Sequence, residues 1–431
     1  MSAEATETVG AGIRRLRTAR GLTQRDLAQP EYSRTLLAAV EAGIRTPTDD
    51  LLRHVARRLD VALDDLRWVR PPGIVDELAG DLAGARQALA RGEVDEAEAV
   101  FARTRAAAVR YGLPDLACWA GYQTGEARLQ RGDMVAAIAA FDELRPSLPD
   151  VGAAPRAAVV ARRAYCQFAT GDAAGAVSAL EEALTGARQA GSADAQVRLS
   201  SALMYAYLAL DWRDRARQVE ALARPLLAEV TVQEWVAQFL VVAGQLRRGA
   251  AELPEAELMF TDAGKLYEEL GLTREVALTR WAHGYVLRRV GQLDGAAAAF
   301  DAACTVLDRV GATQDGAGAA LELAEVRRRQ GDLDEAARLA RAAADVCARS
   351  HHLECMAEAD RLLGLVAAAA GRPADAEVLL DRAVQRYGQL GVMVEVVATC
   401  RALGELQLSA GRTADAGRTF RRGLEAARAA R

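Results

Sequence analysis

A pattern of about 40 residues recurs from residue 74 to the end of the chain, which directs it towards a stack of like units rather than one globular core. The phase is set by a turn residue at Gly92, Gly132, Gly171, Asp211, Ala251, Gly291, Gly331, Gly371 and Gly411, spaced 40 residues apart except for one interval of 39. Five residues after each of these stands an alanine: Ala97, Ala137, Ala176, Ala216, Ala256, Ala296, Ala336, Ala376 and Ala416. Nine residues after the turn come Phe101, Phe141, Leu180, Phe260, Phe300, Leu380 and Phe420, with Glu220 and Ala340 as exceptions. Seven before it lie small residues: Gly125, Ala164, Gly244, Gly284, Ala324, Gly364 and Gly404. Small residues let two helices approach and a large one fills the space between them. Each unit is therefore expected to be a helix pair that buries its apolar face on its neighbours. Ala, Leu, Arg and Glu dominate and only 11 Pro interrupt the chain, so the expected class is all-α, without sheet.

The residues ahead of the repeats carry different punctuation. From Ile13 to Trp68 five short helices are expected. The first stops at Gly21, as a helix ending in a left-handed residue does. Thr23 caps the second, with Asp26 three residues later in a near capping box. Ser33 caps the third, whose apolar face is Leu36, Leu37 and Val40 and whose end is Gly43. Pro47 and Thr48 open the fourth, and Leu63 and Leu66 close the bundle. Residues 10–70 carry twelve Arg against eight Asp or Glu, whereas residues 71–431 carry a net charge of −7. A basic module on an acidic body suits one end that meets phosphate and another that does not.

The segment from Gly21 to Val61 resembles the Xre/Cro-type helix-turn-helix family through Leu22-Thr23-Gln24, Leu27-Ala28, Ser33-Arg34, Val40-Glu41, Gly43 and Pro47. It departs from the family at Gln29-Pro30-Glu31-Tyr32, where the turn is one residue shorter and carries a proline. The resemblance implies a five-helix, lambda-repressor-like DNA-binding domain whose third helix enters the major groove. By that mapping Gln24 donates to a phosphate, Ser33 caps the reading helix, and Arg34, Thr35 and Ala39 face base edges. Arg34 can fork onto guanine, whereas an alanine offers at most a methyl contact. Arg45, in the loop that follows, is expected to touch phosphate and so to position without specifying. Glu41 is expected to bond within the bundle.

The repeat resembles the tetratricopeptide repeat, lengthened from the usual ~34 residues by longer helices rather than longer loops. About nine helix pairs are expected to form a right-handed superhelix. The expected organisation is a DNA-binding domain over residues 10–70, a linker at 71–73 and a solenoid over 74–431 that binds ligand or partner and dimerises. First helices of such pairs line the concave face. Positions six and ten residues before the turns, with neighbours, nominate Tyr122, Glu126, Tyr165, Tyr205, Gln238, Gln245, Trp281, Tyr285 and Arg361 as groove residues. Arg248, Arg288 and Arg328, three before their turns, add charge. Aromatics interleaved with Arg, Gln and Glu suit an extended peptide, although the tyrosines also suit packing within the repeat.

Other chemistries find little support. The only lysine, Lys265, is followed by Leu266 inside a helical pattern, so no phosphate-gripping P-loop is present. The six cysteines, 118, 166, 304, 347, 355 and 400, show no CxxC and read as small buried residues of a reducing compartment. Cys347, His351 and Cys355 lack a fourth zinc ligand, so neither a metal nor another cofactor is expected. No nucleophile motif stands out, and no enzyme is expected. Nor does any apolar run reach the ~20 residues that span a bilayer, which gives a cytoplasmic expectation with no membrane partner. A helix-turn-helix head on a tetratricopeptide body resembles the peptide-sensing transcriptional regulators of Gram-positive bacteria. That resemblance implies a homodimer on double-stranded DNA and an oligopeptide or protein ligand in the groove. In that family Asn side chains hold the peptide backbone; this chain has no Asn, so Gln238, Gln245 and the arginines would substitute. The alternative is a scaffold whose solenoid binds a protein partner, with the head recruiting it to DNA or only packing.

Overall fold

The computed structural model describes residues 8–249 and 252–429; the expected turn at Ala251 lies outside them. The described residues form 23 α-helices and two short 3-10 segments, with no strand. The chain divides into two compact units, residues up to 83 with 102–117, and residues 84–101 with those from 118 onward.

The first unit opens with α1 (Val9–Ala19), α2 (Gln24–Ala28), α3 (Arg34–Glu41), α4 (Asp49–Leu59) and α5 (Leu63–Arg67). Ile13, Leu27, Leu37, Val40, Leu51, Val55, Leu59 and Leu66 form their common core. Each expected cap is made. Thr23 and Asp26 exchange side-chain and backbone hydrogen bonds as a full capping box, and Ser33 and Thr48 accept from Leu36 N and Leu51 N. The Gln29–Pro30 peptide in the shortened turn is cis. Beyond α5, the Arg70 guanidinium donates to Tyr111 O and Gly112 O, both at 2.8 Å.

Repeat helices follow to the end of the chain: α6 (Ile74–Ala90), α7 (Val94–Arg110), α8 (Pro114–Gln130), α9 (Met134–Asp142), α10 (Ala153–Ala169), α11 (Ala173–Gln189), α12 (Ala193–Ala209), α13 (Arg213–Ala223), α14 (Gln233–Gly249), α15 (Leu253–Glu269), α16 (Thr273–Arg289), α17 (Leu293–Arg309), α18 (Thr313–Gln330), α19 (Leu333–Arg349), α20 (Leu353–Ala369), α21 (Pro373–Leu390), α22 (Met393–Ser409) and α23 (Thr413–Ala429). These make nine pairs. Helices of 17 residues alternate with three-residue turns, so two of each account for the period of 40. Shorter second helices, α9 and α13, run into 3-10 segments at Arg145–Asp150 and Arg224–Glu229. Pro146 and Pro225 open those segments; proline lacks the N–H an α-helix needs and its ring clashes with the preceding turn. Sequence periodicity had not singled out this pair of exceptions.

The small-to-large seam is the one expected. A Cβ added at Gly244 or Gly284 would lie 2.6 Å from the ring of Phe260 or Phe300 respectively. Two cysteines depart from expectation. Cys347 and Cys355, at the facing ends of α19 and α20, are joined as a disulfide with Cα atoms 5.7 Å apart, not two independent thiols. The left-handed His351 between them, with φ 54°, folds the chain back and brings them together.

Within the second unit the stack coils until residues about 180 positions apart meet. The Gln130 amide donates to Leu89 O at 3.1 Å in the preceding pair and to Val310 O one coil later. Tyr165 Oη meets His352 Nε2 at 3.3 Å. At Gly92, where φ is 90°, a Cβ would lie 2.8 Å from Val310 Cα, so turn geometry and close approach both demand glycine.

Candidate functional site: a nucleic-acid interface and a charged interior

On the head, the side chains of Ser33, Arg34 and Thr35 at the start of α3 are exposed, with Ala39 half-buried one turn later and Arg45 exposed in the next loop. Behind them Glu41, 7% exposed, closes a network. Arg17 forks onto its carboxylate at 2.7 and 2.9 Å, and Gln24 Nε2 donates to it at 2.9 Å. Burial opposes the Glu41 charge, but the bonds from Arg17 and Gln24 outweigh it and hold the carboxyl below the usual range. Glu41 therefore ties α1, α2 and α3 together and aims Gln24 with one amide hydrogen already committed. His54, buried behind α2, bonds Leu27 O at 2.9 Å through Nε2. Ile44, 81% exposed beside Arg45, carried no sequence signal except its place after Gly43.

Several of the nominated groove residues lie in one connected interior, with Arg162 bonded to Glu126 and set over the Tyr165 ring at 5.7 Å. Tyr122 is buried, and Glu126 receives a fork from Arg162. That pair holds the Glu126 carboxyl below its usual range against the opposing effect of burial. Tyr165 and Tyr205 lie with ring centres 6.2 Å apart. Trp281 stacks on Tyr285 at 6.3 Å, and Arg248 sits over the Tyr285 ring at 4.3 Å. Arg288 pairs with Glu322 at 3.1 Å, to which Tyr285 donates at 2.5 Å. Arg328 forks onto Glu325 and Arg361 onto Glu358 within their own helices. Gln238 and Gln245 are half-buried on α14.

Sequence reasoning missed the deeper half of this interior. Positions 13 and 16–17 residues before the turns continue the same helical stripe by two more turns, since 3.6 residues per turn keeps them in line. They bring in Arg198, Glu234, Arg274, Asp315, Glu354 and Glu358. Arg274 pairs with Asp315 at 2.6 Å, and Arg86 pairs with Glu234. Burial, then Glu358 and Glu395, pushes the Glu354 carboxyl up to about 7. Burial holds the His352 imidazole down at about 4, while its Nδ1 caps α20 by accepting from Cys355 N.

Residues 13–66 match the family model described as helix-turn-helix. The N-terminal bundle is an Xre-type helix-turn-helix domain. No curated protein shows significant similarity to the chain. Among solved structures, a Rap protein complexed with Competence and Sporulation Factor is similar at a TM-score of 0.57 and 12% identity, over 82% of this chain and 98% of that one. The Rap conjugation gene regulator of the plasmid pLS20, in complex with the Phr* peptide, is similar at 0.53 and 14%, over 82% and 96%. At such identity the likeness is one of fold: the body is a tetratricopeptide-like superhelix. Within the helix-turn-helix domain, α2 and α3 are the two motif helices, and the cis Gln29–Pro30 peptide lies in the turn that joins them. No helix among the described residues is long and apolar enough to cross a membrane.

Proposed function

We propose that the protein is a sequence-specific DNA-binding transcriptional regulator whose repeat body takes an oligopeptide or other ligand and thereby alters DNA binding. In this reading residues 10–70 read DNA, 71–73 join, and 74–431 sense and dimerise. The exposed, capped first turn of α3, with Arg34 and Thr35 outermost, carries the DNA half of the proposal. Gln24 and Arg45 would hold phosphates on either side of it, and two heads of a homodimer would meet half-sites about one helical turn apart. A body solved with a peptide in one structural neighbour supports the sensing half. The cavity beside Tyr122 and Glu126 measures about 50 Å³, too little for a peptide, so a peptide bound there would need the coil to open. A ligand that prefers the opened coil shifts that equilibrium by its differential affinity alone.

The test is recovery of genomic fragments by purified protein and by its Arg34→Ala variant at one fixed, moderate salt concentration. A few sites enriched by the first and lost by the second is the expected result. Equal recovery by both would refute base reading by α3.

A further inference from the structure

The residues that follow α5 are held from several sides. Arg70, its side chain 12% exposed, directs Nε to Tyr111 O and Nη2 to Gly112 O, the carbonyls just past the end of α7, while its Nη1 lies 3.5 Å from Asp65. Carbonyls at a helix C-terminus carry the negative end of its dipole, so a guanidinium is their matching partner. Trp68 covers the same turn: a Cβ at Gly112 would collide with its ring, and the φ of 61° there asks for glycine as well. Val69, between the two, is left-handed at φ 51°, which a β-branched residue adopts only where its surroundings impose it. Its side chain lies against Gly12 of α1, where a Cβ would stand 2.8 Å from Val69 Cγ1. Two residues earlier on α1, a Cβ at Gly10 would collide with Val40 O of α3. Contacts therefore run without a break from the turn at 111–113, through Val69 and α1, to the helix that carries Arg34. All of these residues belong to one compact unit, residues up to 83 with 102–117, whose boundary falls inside the repeats and not at Pro71-Pro72-Gly73.

We propose that Trp68, Val69 and Arg70 form a clasp that makes the helix-turn-helix domain and the turn between α7 and α8 one rigid body, so that a change in the repeats reaches α3 through α1; its consequence for DNA rests on the reading above. Two hydrogen bonds from one planar charged group fix an orientation as well as a distance. Pro71 and Pro72 follow at once with restricted φ, which leaves little slack before α6 begins at Ile74. Close approaches at Gly10, Gly12 and Gly112 leave no room for one element to slide past the next. Packed contacts of this kind do not deform continuously, so turn and head move together or the clasp opens. In a dimer, the angle set by each clasp would fix the separation of the two reading helices, and with it the interval between half-sites that is accepted.

The experiment compares amide hydrogen exchange in the full-length wild type, Arg70→Met, Trp68→Ala and Trp68→Phe. Arg70→Met keeps an apolar stem but loses every bond to the turn. It and Trp68→Ala should speed exchange about tenfold at residues 111–113, at 68–70 and at 12–16 of α1. Exchange in α4 should stay slow, which shows that the head is still folded; where Trp68→Ala loosens α4 as well, Arg70→Met alone decides. Trp68→Phe, whose ring still covers Gly112, should keep most of the protection that Trp68→Ala loses. Two results overturn the proposal: unchanged exchange at 111–113, or faster exchange there with α1 unaffected, since turn and head would then move independently. On genomic fragments, Arg70→Met should enrich the same half-site as the wild type but lose its fixed interval, and retention of that interval would overturn the role of the clasp in spacing. A wild type that enriches nothing refutes the DNA reading instead, and the exchange comparison still decides the clasp.

Discussion

At the scale of single residues, the buried charges make the sharpest statements. Glu41 holds Arg17 and Gln24 at once. Removing its charge strands the Arg17 guanidinium, and breaking a buried pair on one side costs on the order of 3 kcal/mol. Glu41→Gln should lower the unfolding free energy of the head by about that amount at pH 7, read as a lower urea midpoint at unchanged slope. Because the folded carboxyl titrates below its unfolded value of ~4.3, this stabilisation is complete above that value and lost as pH falls through the folded one. The two proteins should therefore converge in acid. Glu354 has the opposite sign. Its folded carboxyl lies at about 7, above the unfolded value, so the molecule is destabilised as pH rises towards and through 7. Glu354→Gln is expected to raise the Tm at pH 8 and to have little effect at pH 5. The caps and the inward role of Glu41 were legible because they depend on neighbours three residues away or on a family pattern. The Gln24 and Arg17 contacts to Glu41 join residues 17 and 24 positions apart, and only the packed bundle brings them together.

For helices and their seams, the sequence was read nearly in full, since a 40-residue period divides into two 17-residue helices and two tight turns with nothing left over. It failed where a local rule overrode the period, at Pro146 and Pro225, and where the stripe of interior residues was followed for two helical turns instead of four. The seam itself is testable. In Gly284→Ala the new methyl meets the Phe300 ring, which cannot retreat from a buried site. Overpacking of this kind destabilises by about 1–3 kcal/mol. A lower urea midpoint at unchanged slope is expected, and adding Phe300→Leu should recover part of the loss. Full additivity of the two substitutions would show that they do not share a seam.

Across the molecule, the contacts that matter most were invisible to periodicity, because a repeat specifies its neighbour and says nothing of the unit one coil further on. Gln130 spans that gap by bonding Leu89 O and Val310 O. Gln130→Ala should leave each helix pair intact but speed amide hydrogen exchange where the coils meet, around residues 306–313, with little change at the seam of α22 and α23. Unchanged exchange at 306–313 would mean that the amide bonds contribute nothing to holding the coils together.

An open array of repeats tolerates gain or loss of a unit, since each module touches only the next and the array simply grows longer or shorter. Here the meeting of Gln130 with Val310, and of Gly92 with the same residue, fixes how many modules separate them. Duplicating one internal module would carry every such partner 40 residues out of place, setting side chains against turns built for others. The number of modules between those contacts is therefore constrained by the coil itself. Lineages of this protein should vary in length at the last module, beyond the coil contacts, far more readily than between Gly92 and Val310.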